Sequence, residues 1–537
     1  MNLLRLGLLA PLLPPSAASA APDPQVIGFP DDIVEAHRLT GSRTVAVTSS
    51  KFHGGAGDAE IRITIDSVGK VIDARDHGTD LRYANPAAAL ARARQWTFRP
   101  FQYRGRPVTV VADIRVSYRF APAWADPSAD LPPIDYANLR IELTRGGCYG
   151  PCPIYKVAIT GDGTVRYTST VFEDGAGAVH QEFHPNGALV AGEHRAKIDR
   201  TALDSLIAKF RGAHFFGLKP RYEASITDSS AYVLRFTTGG RTMEVTDYVG
   251  QMVDMPEVVT ALEDEVDRVA GSARWVEGNA ETVPALIAEG FDPRSSAGVA
   301  LAQAAANEAV LLDLLAAGVP LDRSVKGPRD AQARPLGSVM LVDALRFGRP
   351  TVAQALIARG WLAKLPLAER SRLFAESGGG CDPAVARLLV ASGVNPNARA
   401  PAERGIMVNG GGTALHAARA SYSACRALKD RLPLVRALLA LGVDPNLADG
   451  EGETPLWNVE DPNLLALFLA SGGRADVKDK EGNSPAFGSW TDLIVLMLLE
   501  AGADPHGHYY GGKTLPATTS ERAMPATAAW LAARGIR

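Results

Sequence analysis

Cysteine is scarce in this chain: there are four among 537 residues, and only Cys148 and Cys152 stand close together. A fold held by many disulfides is therefore excluded. Charge of one sign never accumulates. The formal net charge is −3 with no long basic or acidic run, so the clustered basic surface of a nucleic-acid binder is missing. After residue 20 no apolar stretch reaches the length of a bilayer span. Also absent are Gly-x-Ser-x-Gly, His-Glu-x-x-His, a phosphate-binding loop and a Rossmann glycine pattern. With no nucleophile–base signature, no enzyme is expected and no cofactor or metal is assigned.

What is present starts with an export signal over residues 1–20. Arg5 supplies early positive charge, Leu6 to Leu13 are apolar, and Ala18-Ser19-Ala20 fits a small-x-small cleavage site. The apolar run is too short to span a bilayer. A soluble protein exported to the periplasm is expected, where disulfides are permitted.

The first domain is read over 26–122. Ile61, Ile63 and Ile65 alternate as in a half-buried strand, and Asn85-Pro86 opens a helix burying Ala89, Leu90, Ala93 and Trp96. A long strand follows, with Val108, Val110, Ile114, Val116, Tyr118 and Phe120 on one face. This predicts one helix on an antiparallel sheet. Gly69-Lys70-Val71, Ala88-Ala89-Leu90, Trp96-Thr97-Phe98-Arg99-Pro100 and Gly105-Arg106-Pro107-Val108 resemble the C-terminal domain of TonB-type energy transducers over roughly 60 residues. The resemblance implies capture of a short peptide by strand pairing at a sheet edge. Force transduction is not expected, because a transducer's membrane helix and long Pro-rich spacer have no counterpart here.

After a linker rich in Ala, Pro and Asp, a second α+β domain is read over 134–276. Its strands hold Leu139, Ile141 and Leu143, then Tyr155, Val157 and Ile159, with hairpin turns at Gly161-Asp162-Gly163 and Gly239-Gly240. Asp199 caps one helix and Pro256 starts another. The pieces Cys148-Tyr-Gly-Pro-Cys152-Pro153-Ile154-Tyr155, Thr227-Asp228 and Asp247-Tyr248-Val249-Gly250 resemble an uncharacterised bacterial domain family with no known activity.

Three readings of Cys148 and Cys152 stand. A disulfide is favoured, because Gly150-Pro151 makes a turn that brings the two Cα atoms toward bridging range. Closing so short a loop stabilises by only about 2 kcal/mol. Cys-x-x-x-Cys-Pro is also similar to the copper motif of SCO-type chaperones, since thiolates select Cu(I). A redox dithiol is the third reading. The last two normally precede a helix, and here a hairpin follows. Cys381 and Cys425 lie in the C-terminal half, their pairing open.

That half carries the clearest pattern. Gly290, Gly318, Gly360, Gly393, Gly442, Gly472, Gly502 and Gly535 each follow an apolar helix. Polar turns come next, as in Asn395-Pro396-Asn397, Asp444-Pro445-Asn446 and Asp504-Pro505-His506. Helix openings recur at Thr413-Ala414-Leu415-His416, Thr454-Pro455-Leu456 and Ser484-Pro485-Ala486-Phe487, with Thr or Ser placed to cap. The words and a spacing of about 33 residues resemble the ankyrin repeat. Longer gaps before Gly360 and Gly442 imply loop insertions. Residues 278–537 are thus read as seven or eight ankyrin repeats. The resemblance implies a structural role for His416.

The fold class expected overall is multidomain: two small α+β domains followed by an all-α ankyrin-repeat solenoid. The function expected is an interaction scaffold for a protein or peptide partner. Its site is placed on the polar, varied repeat tips: Asn397, Arg399, Asn446, Asp449, Glu451, Lys478, Lys480, His506 and His508. The alternative is a copper or thiol-redox protein acting through Cys148 and Cys152.

Overall fold

The computed structural model describes residues 25–47, 58–79, 86–149, 152–169, 187–326, 332–379, 383–400, 410–419, 428–509 and 512–537. The leader over 1–20, Cys381, Cys425 and most of the insertion before Gly442 lie outside them. Among the described residues no helix is long and apolar enough to cross a membrane.

The first domain runs β1 (Val26–Gly28), α1 (Asp31–His37), β2 (Arg38–Thr40), β3 (Thr44–Val47), β4 (Asp58–Ile65), β5 (Val71–Asp76), α2 (Pro86–Ala93), β6 (Thr97–Phe98), β7 (Gln102–Tyr103), β8 (Arg106–Pro107) and β9 (Thr109–Phe120). The alternation seen in the sequence is the burial pattern: Ile61, Ile63 and Ile65 of β4 and Val110, Ile114, Val116 and Tyr118 of β9 face inward against Ala89, Ala93 and Trp96. β4 and β5 pair antiparallel on one side of β9. On its other side β1 and β3 both pair with β9 in parallel. The chain's own strands therefore fill that side; among the described residues β5 has no second strand partner, and the Arg94 guanidinium donates to its Ala74 carbonyl at 2.9 Å.

The middle domain is a seven-stranded sheet in the order β13-β12-β11-β10-β15-β16-β14. Its elements are β10 (Arg140–Arg145), β11 (Tyr155–Thr160), β12 (Thr164–Ser169), β13 (Gly192–Lys197), α3 (Arg200–Gly212), β14 (Arg221–Glu223), β15 (Ala231–Thr238), β16 (Arg241–Tyr248) and α4 (Glu257–Ala270). Asp199 caps α3 by accepting from the Ala202 N–H at 2.7 Å. Both helices cover one face. The other carries charged cross-strand pairs such as Lys156–Glu142 and Arg235–Glu244.

The C-terminal half contains α5 (Ala273–Val276), α6 (Thr282–Ala288), α7 (Ser296–Ala304), α8 (Glu308–Ala316), β17 (Ser324–Val325), β18 (Arg334–Pro335), α9 (Leu336–Arg346), α10 (Pro350–Ala358), α11 (Trp361–Lys364), α12 (Leu367–Ser377), α13 (Pro383–Ala391), α14 (Ala414–Arg419), α15 (Leu428–Ala440), α16 (Pro462–Ala470), α17 (Asp492–Glu500), α18 (Leu515–Glu521) and α19 (Pro525–Ala532). All eight glycines read as helix stops have positive φ, from 72° at Gly535 to 100° at Gly502.

The expected all-α solenoid is not what forms. The insertion before Gly360 contains the antiparallel pair β17–β18, which puts a sheet inside the helical half. Between Gly442 and Gly502 the opening helices are missing as well. Pro485–Gly488 makes one 3-10 turn, and the Thr454-Pro455-Leu456-Trp457 segment is a turn only. These units are shorter than their neighbours: Asp461 and Thr491 already stand at the N-cap positions of the next helices, leaving no room for a two-turn helix. The capping role expected of the opening residues fails too. Ser484 Oγ donates to the Asp504 carbonyl at 2.7 Å, and Thr454 Oγ1 has no partner.

The three parts close on one another. The linker joins the middle domain through the Ala123 N–H to the Asp254 carbonyl and Tyr222 OH to the Ala123 carbonyl. The middle domain joins the first helices of the C-terminal half where His194 stacks on Trp275 at 4.2 Å and meets Glu289 at 2.7 Å. The first domain reaches the last helices. Buried Asp492, at the start of α17, accepts from the N–H groups of Gly28 at 2.8 Å, Ala526 at 3.0 Å and Thr527 at 2.8 Å. Any side chain at position 28 would meet the Ala523 carbonyl oxygen at 2.8 Å, so the approach requires glycine. Glu500 accepts from Tyr103 OH and from Arg104. The last helices are thus packed against the N-terminal domain.

Candidate functional site

Sheet register lines up one row of side chains at the end of the middle domain: Ser169, Tyr155, Arg145, Tyr232, Asp247 and Tyr222 are successive cross-strand partners from β12 to β14. Directly opposed residues share a face, and this one is turned toward α4. There α4 supplies Glu263, Asp264 and Asp267. Asp267 Oδ2 accepts from Tyr155 OH at 2.9 Å and from Arg145 Nε at 3.0 Å. Arg145 also donates to Asp264 at 3.1 Å, and its guanidinium lies 4.4 Å from the Tyr232 ring centre.

The charges do not balance. Glu263 is 0% exposed, neither of its oxygens has a hydrogen-bond partner, and its nearest cation is Arg145 Nη1 at 3.9 Å. Burial, reinforced by the charge of Asp247, pushes its carboxyl up to about 8 against the pull of Arg145. Burial also raises Asp247, whose Oδ1 accepts from the Gly250 N–H at 2.6 Å. At neutral pH Glu263 is an uncharged acid beside a guanidinium already shared by Asp264 and Asp267.

Above this cluster sits the turn closed by the Cys148–Cys152 disulfide, with Cα atoms 5.6 Å apart. Its two stems begin at Arg145 and Tyr155, so both are tied to α4 through one carboxylate. The turn is also tied sideways: the Gly146 N–H donates to the Ala231 carbonyl at 2.8 Å and the Tyr149 N–H to the Asp228 carbonyl at 3.1 Å. The Ser229 N–H meets Tyr248 OH at 3.4 Å. Asp228 and Val249 both take left-handed backbone, with φ of 68° and 52°. For a β-branched residue this costs roughly 1–3 kcal/mol. The three sequence pieces around Cys148, Asp228 and Asp247 thus come together at one end of the sheet.

With both sulfurs bonded to each other, no thiolate is offered to copper, and the copper and redox readings gain nothing from the geometry. Among the described residues no group of His, Cys, Asp and Glu is arranged to hold a metal. Sequence reasoning missed Arg145, Tyr232, Glu263 and Asp267. A signal for Glu263 existed: it lies four residues after Val259 and three before Val266, on the helix's apolar stripe.

The nine tip residues divide in two. Asn397 Oδ1 accepts from the Asp444 N–H at 2.8 Å, and Asn446 Oδ1 from the Arg474 N–H at 2.8 Å. Their amides donate onward to the carbonyls of Gly442 and Gly472. Asp449 is buried and accepts from the Glu451 and Glu453 N–H groups. The two asparagines fasten turn to turn, and Asp449 braces its own turn. Arg399 donates to the carbonyls of Gly411 and Ala448 while staying exposed. Glu451, Lys480, His506 and His508 are exposed, as is Lys478, which pairs with Asp504 at 2.7 Å. His416 is buried between Thr413 and the Glu453 carbonyl, and burial pushes it down to about 4, so it is a neutral structural residue.

No curated protein matches this chain. Residues 139–270, which span the disulfide turn, the polar row and α4, match a family model described as a domain of unknown function, DUF6438.

Proposed function

We propose that this protein is an exported periplasmic interaction scaffold that binds a protein or peptide partner through the tips of its ankyrin-like C-terminal half. The open β5 edge of the TonB-like domain is a second, smaller docking element. The observation that supports this reading is the division among the tip residues. Asn397 and Asn446 lock successive turns together, Asp449 braces its own turn, and the row carries Arg399, Glu451, Lys478, Lys480, His506 and His508 outward. A polar row held rigid before binding loses little entropy when a partner arrives. β5 adds an edge that carries exposed Ile72 and follows exposed Val68, apolar side chains a strand-paired peptide can cover.

Replacing Glu451, Lys478, Lys480, His506 and His508 together, with Arg399 kept for its bonds to the Gly411 and Ala448 carbonyls, should abolish capture of a partner from periplasmic extract while leaving the thermal midpoint nearly unchanged. Asn446→Ala should do the reverse, lowering the midpoint through the loss of two cross-turn bonds worth about 1 kcal/mol each. Undiminished capture by the multiple variant would refute the tip assignment.

Export has its own test. N-terminal sequencing of the protein recovered from the periplasm should begin at Ala21. Recovery with Met1 intact in a membrane fraction would overturn the assignment.

A further inference from the structure

We propose that the Tyr149 ring and the Asp228 carboxylate, beside the disulfide of the middle domain, receive an arginine or lysine side chain from a basic segment of a protein partner. Tyr149 is 90% exposed, the most exposed of the large hydrophobic side chains described, ahead of Val68 at 64% and Ile72 at 62%. A solvated aromatic on a slack loop would need no explanation. This one is fixed at its backbone from two sides, by the Cys148–Cys152 bond beside it and by its own N–H to the Asp228 carbonyl. Asp228 is fixed in turn, in left-handed backbone, with Thr227 Oγ1 donating to its Oδ2 at 3.0 Å. A tyrosine presented this way makes contact area at little entropic cost, which is how binding loops use it.

The charge around the turn selects the ligand. Exposed Asp228 and Asp264 stand at this end of the domain, with Asp247 and Asp267 behind them. Arg145, the cation inside the cluster, is already bound to Asp264 and Asp267. An arriving carboxylate or phosphate meets repulsion, and an arriving guanidinium or ammonium meets both an aromatic face and a carboxylate. A cation over an aromatic ring is favourable, more so when a carboxylate completes the site. The strain at Asp228 and Val249 fits a surface held in one shape for contact rather than for stability. The DUF6438 match spans this whole assembly, independently of the repeat tips.

The test uses the full chain and a fluorescein-labelled hexa-arginine peptide, with hexa-glutamine as control, read by anisotropy at low and at physiological salt. The arginine peptide should bind, weaken with salt, and lose at least tenfold in affinity in Tyr149→Ala, in Asp228→Asn, and after mild reduction of the disulfide by a dithiol. Tyr149→Phe should retain binding, because the ring is kept. The multiple tip variant should bind like the wild type, which separates this site from the repeat tips. Equal affinity for both peptides, or unchanged affinity in Tyr149→Ala, would overturn the proposal.

Discussion

Asp492→Ala should detach the first domain from the last helices and remove several kcal/mol of stability. The carboxylate accepts three N–H groups, from Gly28, Ala526 and Thr527, inside a buried contact. Without it all three donors are orphaned, at roughly 1–3 kcal/mol each before relaxation. Asp492→Asn keeps an acceptor and should cost less. Burial raises the acid and the three N–H groups oppose that rise, so the contact depends on its bonds rather than on charge. Hydrogen exchange should report the loss at residues 26–28 and 525–532 before anywhere in the middle domain. Unchanged protection there in the alanine variant would show that the closure is not held by this residue.

Glu263→Gln should change the pH dependence of stability more than any other single substitution. The carboxyl titrates near 8 in the folded chain, from an ordinary value of 4.5. Between those two values the folded state holds a proton that the unfolded state has released. Stability from this group is therefore complete below about pH 4.5, falls as pH rises toward 8, and is flat above. Each unit of the interval corresponds to about 1.4 kcal/mol, so a total on the order of 5 kcal/mol is expected across it. Glutamine removes the slope, and at pH 9 the variant should be the more stable protein. Asp247, shifted in the same direction by burial, leaves a smaller residual slope. Parallel denaturation curves for wild type and variant between pH 5 and 9 would contradict the burial of an uncharged Glu263.

Much of the architecture was legible because it rests on local periodicity. Alternation at Ile61, Ile63 and Ile65 and the apolar face of β9 follow directly from the pleat. The helix stops were legible because only glycine takes left-handed backbone without cost. The disulfide followed from a turn between two close cysteines. What escaped the sequence was non-local. Nothing in Val26-Ile27-Gly28 announces a parallel strand on β9 whose glycine fits against Asp492, because that contact spans almost the whole chain. The missing helices after Thr454 and Ser484 were hidden by familiar opening words, and only the shortened interval to the next cap betrayed them. At the candidate site, Cys148, Asp228 and Asp247 stood out as motif pieces. Arg145 and Asp267 did not, because a single charged residue on a strand or helix reads the same whether it faces water or another charge.

A photo-crosslinking amino acid placed singly at Glu451, Lys480 and His506 tests the scaffold reading most directly, with Arg166 on the open sheet face and Ile72 in β5 as comparison positions. A binding tip row predicts that the three tip positions crosslink one and the same periplasmic protein and that Arg166 does not. Crosslinks from Ile72 alone, with none from the tips, would contradict it and move the partner site to the first domain.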